Sequence, residues 1–206
     1  MKKWISLLLF ASLLCGSMLS LSSCKKDLKH TYTPKTDEVY VRMEVKKYGT
    51  IDLCLDRAAA PITVDNFVSL VEKGFYDGLT FHRVIDGFMI QGGDPNGDGT
   101  GGSTPIKGEF AVNGVNNPIR HVRGTISMAR RGDSYDSGSC QFFIVHKTTY
   151  GNSYSLDGQY AAFGHVTAGM EVVDAIVEAM EYASDADKGA GTVTNPAVIE
   201  SIVIVE

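Results

Sequence analysis

The sequence predicts a mainly β fold, an antiparallel barrel or sandwich carrying two helices at its ends, and three observations predict it. Short runs alternate apolar and polar side chains with period two, glycines separate these runs, and two stretches carry the i, i+3, i+4, i+7 stripe of a helix.

The first strand pair is the plainest. Val39, Val41, Met43 and Val45 alternate with Tyr40, Arg42 and Glu44, and beyond Lys46-Lys47-Tyr48-Gly49 the residues Ile51, Leu53 and Leu55 alternate with Asp52, Cys54 and Asp56. This predicts a hairpin with one buried face and assigns Cys54 to the polar side. Cys54 and Cys140 are expected to be two separate thiols, because two cysteines do not make a disulfide framework. Pro61 opens a helix with the stripe Val64, Phe67, Val68 and Val71, and Gly74 is placed to end it. A second helix carries Val173, Ile176, Val177 and Met180 on one side and Glu171, Asp174, Glu178 and Glu181 on the other. Both stripes read as core. Residues 183–195 are rich in Ala, Asp, Gly and Thr and predict a surface loop before the apolar closing run 198–205.

One stretch stands apart: Phe81-His82-Arg83-Val84-Ile85-Asp86-Gly87-Phe88-Met89-Ile90-Gln91-Gly92-Gly93-Asp94 sets a permanent cation among large apolar residues. Alternation directs Arg83 and Ile85 to one face of a strand and His82 and Val84 to the other, and Asp86-Gly87 turns the chain. On the return strand Met89 and Gln91 share a face. A register that sets them beside Arg83 builds a shallow apolar floor with a guanidinium at its rim. Such a surface offers no nucleophile and no proton acceptor of matched pKa, so its chemistry is binding or electrostatic stabilisation.

At the start of the chain, Lys2 and Lys3 precede an apolar core from Trp4 to Leu14, the pattern of a targeting segment. Leu21-Ser22-Ser23-Cys24 resembles the lipobox of bacterial lipoproteins, which implies cleavage before Cys24 and a lipid on its thiol. The expected parts are a signal peptide at 1–23, the lipidated Cys24 with a flexible tether at 24–38, and a globular domain at 39–206. The membrane is then a partner through the N-terminal lipid. The expected location is the bacterial cell envelope, at the outer membrane, with the domain periplasmic or surface-exposed. Removal of 23 residues from 206 leaves 183, one domain's worth, with 17 Lys and Arg against 24 Asp and Glu. That acidic balance argues against nucleic acid as a partner.

Other motifs fail on context. Gly97-Asp98-Gly99-Thr100-Gly101-Gly102 satisfies G-x-G-x-x-G, yet no amphipathic helix follows and Pro105 lies three residues on. Asp94, Asn96, Asp98 and Gly99 open like a calcium loop, but Pro105 stands where a bidentate glutamate is needed. The expected reading is a glycine-rich connection that uses positive φ. His30, His82, His121, His146 and His165 lack metal-ligand spacing, so structural or exposed roles are expected and neither metal nor cofactor is.

The segment around Arg83 resembles the signature of the cyclophilin family of peptidyl-prolyl isomerases, and three later segments agree in order. Gly124-Thr125-Ile126-Ser127-Met128-Ala129-Arg130 is similar to the family's central strand, Cys140-Gln141-Phe142-Phe143-Ile144 to its Gln-Phe-Phe strand, and Leu156-Asp157-Gly158-Gln159-Tyr160-Ala161-Ala162-Phe163-Gly164 to its Leu-Asp-Gly segment. The likeness runs from about residue 39 to residue 205. It implies a closed eight-stranded antiparallel barrel capped by two helices, with a packed interior and a peptide site on the outer wall. By position, Arg83 corresponds to the catalytic arginine, Phe88, Met89, Phe143 and Leu156 to the proline pocket, and Gln91 to the residue bonding substrate backbone. Ala129, Arg130 and Gln141 fall where the family lines the groove for residues preceding proline. Arg130 and Tyr160 replace the asparagine and histidine of the familiar eukaryotic members and look like the family's bacterial branch. Ser155 stands where those members carry a tryptophan that contacts cyclosporin.

The resemblance implies a monomeric isomerase acting on proline-containing polypeptides, those of secreted or envelope proteins given the lipobox. The alternative is a holdase that grips proline segments in the same groove without turnover.

Overall fold

The predicted hairpin closes into something larger. In the computed structural model, which describes residues 37–149, 151 and 155–205, β1 (Glu38–Val45) pairs antiparallel with β2 (Gly49–Asp56), from Glu38 opposite Asp56 to Val45 opposite Gly49. Six further strands follow: β3 (Thr80–Ile85), β4 (Met89–Gly92), β5 (Thr125–Met128), β6 (Phe142–Val145), β7 (Ala162–Ala168) and β8 (Thr192–Val205). They join in the order β1-β2-β7-β5-β6-β4-β3-β8, and β8 returns to β1, so no edge is left open. Every pairing is antiparallel. The expected signal peptide, the Cys24 lipid site and the tether as far as residue 36 lie outside the described residues.

Two helices turn their apolar stripes onto the barrel interior. α1 (Pro61–Glu72) buries Val64, Phe67, Val68 and Val71, and α2 (Met170–Ala179) buries Val172, Val173 and Ile176, all in one cluster with the inward residues of the strands. They close opposite ends: α1 follows the Asp56 end of β2, while Val172 packs beside Gly49 at its start. The first turn of α1 has no capping side chain of its own. The buried Glu109 carboxylate does that work from 46 residues away, accepting hydrogen bonds from the backbone of Ile62 (3.0 Å) and Thr63 (2.8 Å) and from the Thr63 hydroxyl (2.7 Å). A negative group there satisfies orphan N–H donors and opposes the helix dipole.

Three sequence expectations change. Residues 183–195 are not a plain loop, because Ser184 accepts a hydrogen bond from the backbone of Asp187 and caps a third short helix, α3 (Asp185–Ala190), which Gly191 ends at φ 85°. β8 then starts at Thr192, six residues before the apolar run, and its polar first half pairs with β3. Cys54 sits on the outer face as the alternation implies, yet it is buried, a small side chain between Tyr40 on β1 and His165 on β7. Phe81 belongs to the interior cluster, whereas strict alternation would place it outside with Arg83. The register against β8 shifts between those two residues, and a bulge re-phases a strand. Both Cys54 and Cys140 are free thiols.

Candidate active site

The β3–β4 hairpin builds the site's frame. Gly87, at φ 77°, completes a tight turn in which the Phe88 N–H donates to Ile85 O (3.0 Å), and the return strand comes back with Arg83 opposite Gln91 and Ile85 opposite Met89. This is the register that places Met89 and Gln91 beside the guanidinium. β6 extends the face on the other side, Gln91 standing opposite Phe143 and Met89 opposite Val145. Outward residues of two adjacent strands, Met89 of β4 and Phe143 and Val145 of β6, therefore form a second apolar cluster with Leu156, separate from the barrel core.

Arg83, Phe88, Met89, Gln91, Ala129, Arg130, Phe143, Leu156 and Tyr160 line one cavity of about 230 Å³. Gln141 lies in the wall of an adjoining cavity of about 510 Å³, which shares Gln91, Ala129 and Arg130 with the first. All ten residues singled out in the sequence thus meet on one patch of the outer wall. Phe143 and Tyr160 meet edge to face, with centroids 5.9 Å apart.

Hydrogen bonds aim the polar groups. Arg83 Nε donates to Ala190 O (2.8 Å) and Nη1 to Gln91 Oε1 (3.2 Å), leaving Nη2 without a partner among the described residues. Gln91 Nε2 donates to Gln141 Oε1 (2.9 Å), and Gln141 Nε2 donates to Gly101 O (2.8 Å) and Gly99 O (3.1 Å). The guanidinium is half-buried and no carboxylate of the described residues pairs with it. Burial pulls its pKa down from the usual arginine value, and the nearby Tyr160 opposes the shift. It stays charged at neutral pH, because an arginine starts above 12. The result is a fixed, partly desolvated, unneutralised cation beside an apolar hollow.

Several supporting groups carry no signal in the local sequence. The Ala190 carbonyl that steers Arg83 comes from the end of α3. Behind Phe143, His121 stacks on the ring at 5.9 Å and 18°. Its Nδ1 lies 2.9 Å from Asp157 Oδ1 and its Nε2 2.9 Å from Ser127 Oγ. A carboxylate accepts only, so Nδ1 carries the proton and Nε2 accepts from the Ser127 hydroxyl. The His121 backbone N–H also donates to Asp157 (2.7 Å), which fixes the residue next to Leu156. Burial pushes the His121 pKa below its usual value, outweighing the hydrogen bond that the ring donates to Asp157, so the ring is neutral. On the other flank His146 accepts from the Gly87 N–H at Nδ1 (3.3 Å), and its own backbone N–H donates to Phe88 O (2.8 Å). His121 and His146 are therefore structural, as histidines without ligand spacing are expected to be, and their structure is the site's backing. The glycine-rich segment behaves likewise: the Asp94 carboxylate accepts from the backbone of Asn96 (3.0 Å) and Asp98 (3.1 Å) and from Gly99, folding the loop around itself.

Residues 40–204 match the family model described as cyclophilin type peptidyl-prolyl cis-trans isomerase/CLD. Peptidyl-prolyl cis-trans isomerase A of Dickeya dadantii is 47% identical over 131 residues, covering 62% of this chain and 66% of that relative. A peptidyl-prolyl cis-trans isomerase of Helicobacter pylori is 44% identical over 153 residues, covering 71% of this chain and 87% of the relative. A Cryptosporidium parvum cyclophilin type isomerase, crystallised in the presence of the dipeptide Ala-Pro, superposes with a TM-score of 0.69 at 27% identity over 81% of this chain and 99% of its own. Matching along four-fifths of its length and folded into the same closed barrel, the chain belongs to the cyclophilin-type peptidyl-prolyl cis-trans isomerase family.

Proposed function

We propose that this protein accelerates cis-trans rotation about X-Pro bonds of polypeptides, with Arg83 stabilising the twisted amide. One observation carries the reading: a half-buried guanidinium, held at Nε and Nη1 and unpaired by any described carboxylate, faces an apolar hollow with room for a five-membered ring.

The barrier to rotation is amide resonance, about 18–20 kcal/mol. As the bond twists, the prolyl nitrogen regains its lone pair and becomes an acceptor that the planar ground state lacks. A donor aimed at that nitrogen interacts with the transition state alone, which is the condition for raising a rate. Arg83 Nη2 is the candidate donor. A hydrogen bond from a charged group contributes about 1.5–3 kcal/mol, and each tenfold in rate requires about 1.4 kcal/mol, so Arg83 supplies about one to two decades. The rest comes from positioning. Phe88, Met89, Phe143 and Leu156 grip the ring, while Gln91, locked between Arg83 and Gln141, offers its remaining amide hydrogen to the neighbouring backbone. No bond is broken in this step and no proton is transferred.

Arg83→Ala is expected to lower kcat/KM on a short proline peptide at least tenfold in a protease-coupled assay, with the fold and most peptide affinity retained. Unchanged turnover would remove Arg83 from the mechanism. Undiminished peptide binding with no turnover in the wild-type chain would favour the holdase. The sequence around Cys24 supports a lipid-anchored protein of the cell envelope whose clients are secreted or envelope polypeptides, and mass analysis of membrane-extracted protein tests the lipid directly.

A further inference from the structure

The protein carries 24 Asp and Glu against 19 Lys and Arg, and its arginines are mostly neutralised. Arg42, Arg57, Arg120, Arg123 and Arg131 each lie within 3.2 Å of a carboxylate, those of Asp52, Asp65, Asp157, Asp174 and Asp133 respectively. Among the described residues the two arginines without such a partner are Arg83 and Arg130, and both line the proline cavity.

Arg130 is nevertheless fixed. Its guanidinium carbon lies 4.5 Å from the ring centroid of Tyr160, 5.1 Å from Tyr135 and 5.6 Å from Phe110. Nε donates to Gln159 O (2.9 Å) and Nη1 to Arg131 O (2.9 Å). Three aromatic faces and two carbonyls hold the charge in place without cancelling it, leaving Nη2 uncommitted among the described residues. The cavity of about 510 Å³ on its far side has no Asp or Glu in its wall. Its best amide donor is already spent, because Gln141 Nε2 bonds two carbonyls. Arg131 contributes little there, since it is paired with Asp133 and both side chains are about three-quarters exposed. What remains for a visiting group is one preorganised cation above an uncharged floor.

Resting on the isomerase reading, we infer that this second cavity is an acid-selecting subsite: Arg130 favours polypeptides with an Asp or Glu side chain near the isomerised proline. The two cavities share a wall, and an extended chain advances ~3.3 Å per residue, so the acidic residue lies within about three positions of the proline. A preformed guanidinium loses little rotamer entropy on meeting a carboxylate, which is where such selectivity originates. Because the contact is equally present in planar and twisted substrate, it lowers KM and leaves kcat nearly unchanged.

The test is NMR exchange spectroscopy on the full chain with matched peptides that carry Glu or Gln at each of the three positions on either side of one proline. At one position Glu is expected to exceed Gln about fivefold in kcat/KM, through KM. The Glu-to-Gln ratio falls to about one in Arg130→Gln, whatever that variant's absolute rate. In the wild type the ratio shrinks as salt rises from about 0.05 to 0.5 M, where the screening length drops severalfold. Equal rates for Glu and Gln at every position overturn the subsite, as does a preference that survives Arg130→Gln. Should that variant fail to fold, a salt-independent ratio in the wild type overturns it alone. Absence of turnover on the Gln peptides themselves strikes the isomerase reading instead.

Discussion

Phe142 and Phe143 are consecutive residues of β6 and face opposite sides of the barrel wall. Phe142 is fully buried and meets Phe67, Tyr76 and Phe81 edge to face at 5.6–6.0 Å, inside a cluster that draws on all eight strands and both long helices. Phe143 is 4% exposed, yet its cluster is small: buried Met89, Val145 and Leu156, with half-buried Ile85, Phe88, Ala129 and Tyr160 at its edge and His121 stacked on the Phe143 ring. The inner side is complete without a visitor. The outer side stops short, leaving a hollow that a substrate would complete under the proposed function. One strand's alternation thus builds the fold with even residues and the site with odd ones.

The largest expected effect breaks this comparison if it is wrong. Phe142→Ala leaves a void that close-packed neighbours cannot fill, and it is expected to reduce stability by about 3–5 kcal/mol. Phe143→Ala opens onto an existing hollow that water enters. It forfeits the transfer contribution of about 1.5–3 kcal/mol without the added cavity contribution, while kcat/KM falls at least about tenfold. Denaturant midpoints and peptide turnover of the two variants decide it. Equal losses of stability would mean that the wall has no outer layer distinct from its core.

Sequence patterning reached the inner layer because period-two runs such as Val39, Val41, Met43 and Val45 record burial directly. It also reached the hairpin, since Asp86-Gly87 fixes the return register and with it Arg83 opposite Gln91. It did not reach what positions these groups. Glu109 and Thr63 are 46 residues apart, His121 and Asp157 are 36 apart, and no local period encodes a partner at that distance. The Ala190 carbonyl is a backbone atom, for which any residue would serve. The start of β8 is masked by its composition, because Thr192-Val193-Thr194-Asn195-Pro196 reads as loop until β3 arrives to pair with it.

Gly191 sharpens the comparison from the unread side. At φ 85° it sits where other residues are strained, and an added Cβ would lie 2.6 Å from Ile85 Cγ1, 2.9 Å from Val84 O and 3.0 Å from the Arg83 Cγ. Its carbonyl accepts the Val84 N–H at 2.8 Å. Gly191→Ala therefore strains the link that aims Arg83, and a left-handed non-glycine residue costs about 1–2 kcal/mol. The expected outcome is that loss of stability together with a drop of about threefold or more in kcat/KM, and a shifted Arg83 Nε–H resonance. An unmoved resonance with normal turnover would mean that Ala190 is not what orients the guanidinium.

The smallest effect lies in pH. Burial pushes the pKa values of His121, His82 and His146 downward, so the folded protein holds neutral rings that an unfolded chain protonates below about pH 6.5. The unfolded state then binds more protons in that window. The contribution of these rings to stability is complete above about pH 6.5 and is lost as pH falls toward the depressed folded values. In the proposed mechanism turnover moves no proton and Arg83 stays charged, so kcat/KM is expected to be flat from about pH 7 to 9. On the acid side, protonated Nε2 of His121 can no longer accept from Ser127, and the stack under Phe143 loosens first. Ring resonances of Phe143 should therefore shift as pH falls below the usual histidine range, while those of Phe142 hold until global unfolding. A bell-shaped rate profile between pH 7 and 9 would introduce a titrating group into the mechanism. Joint movement of the two rings would show that the inner and outer faces of β6 respond as one.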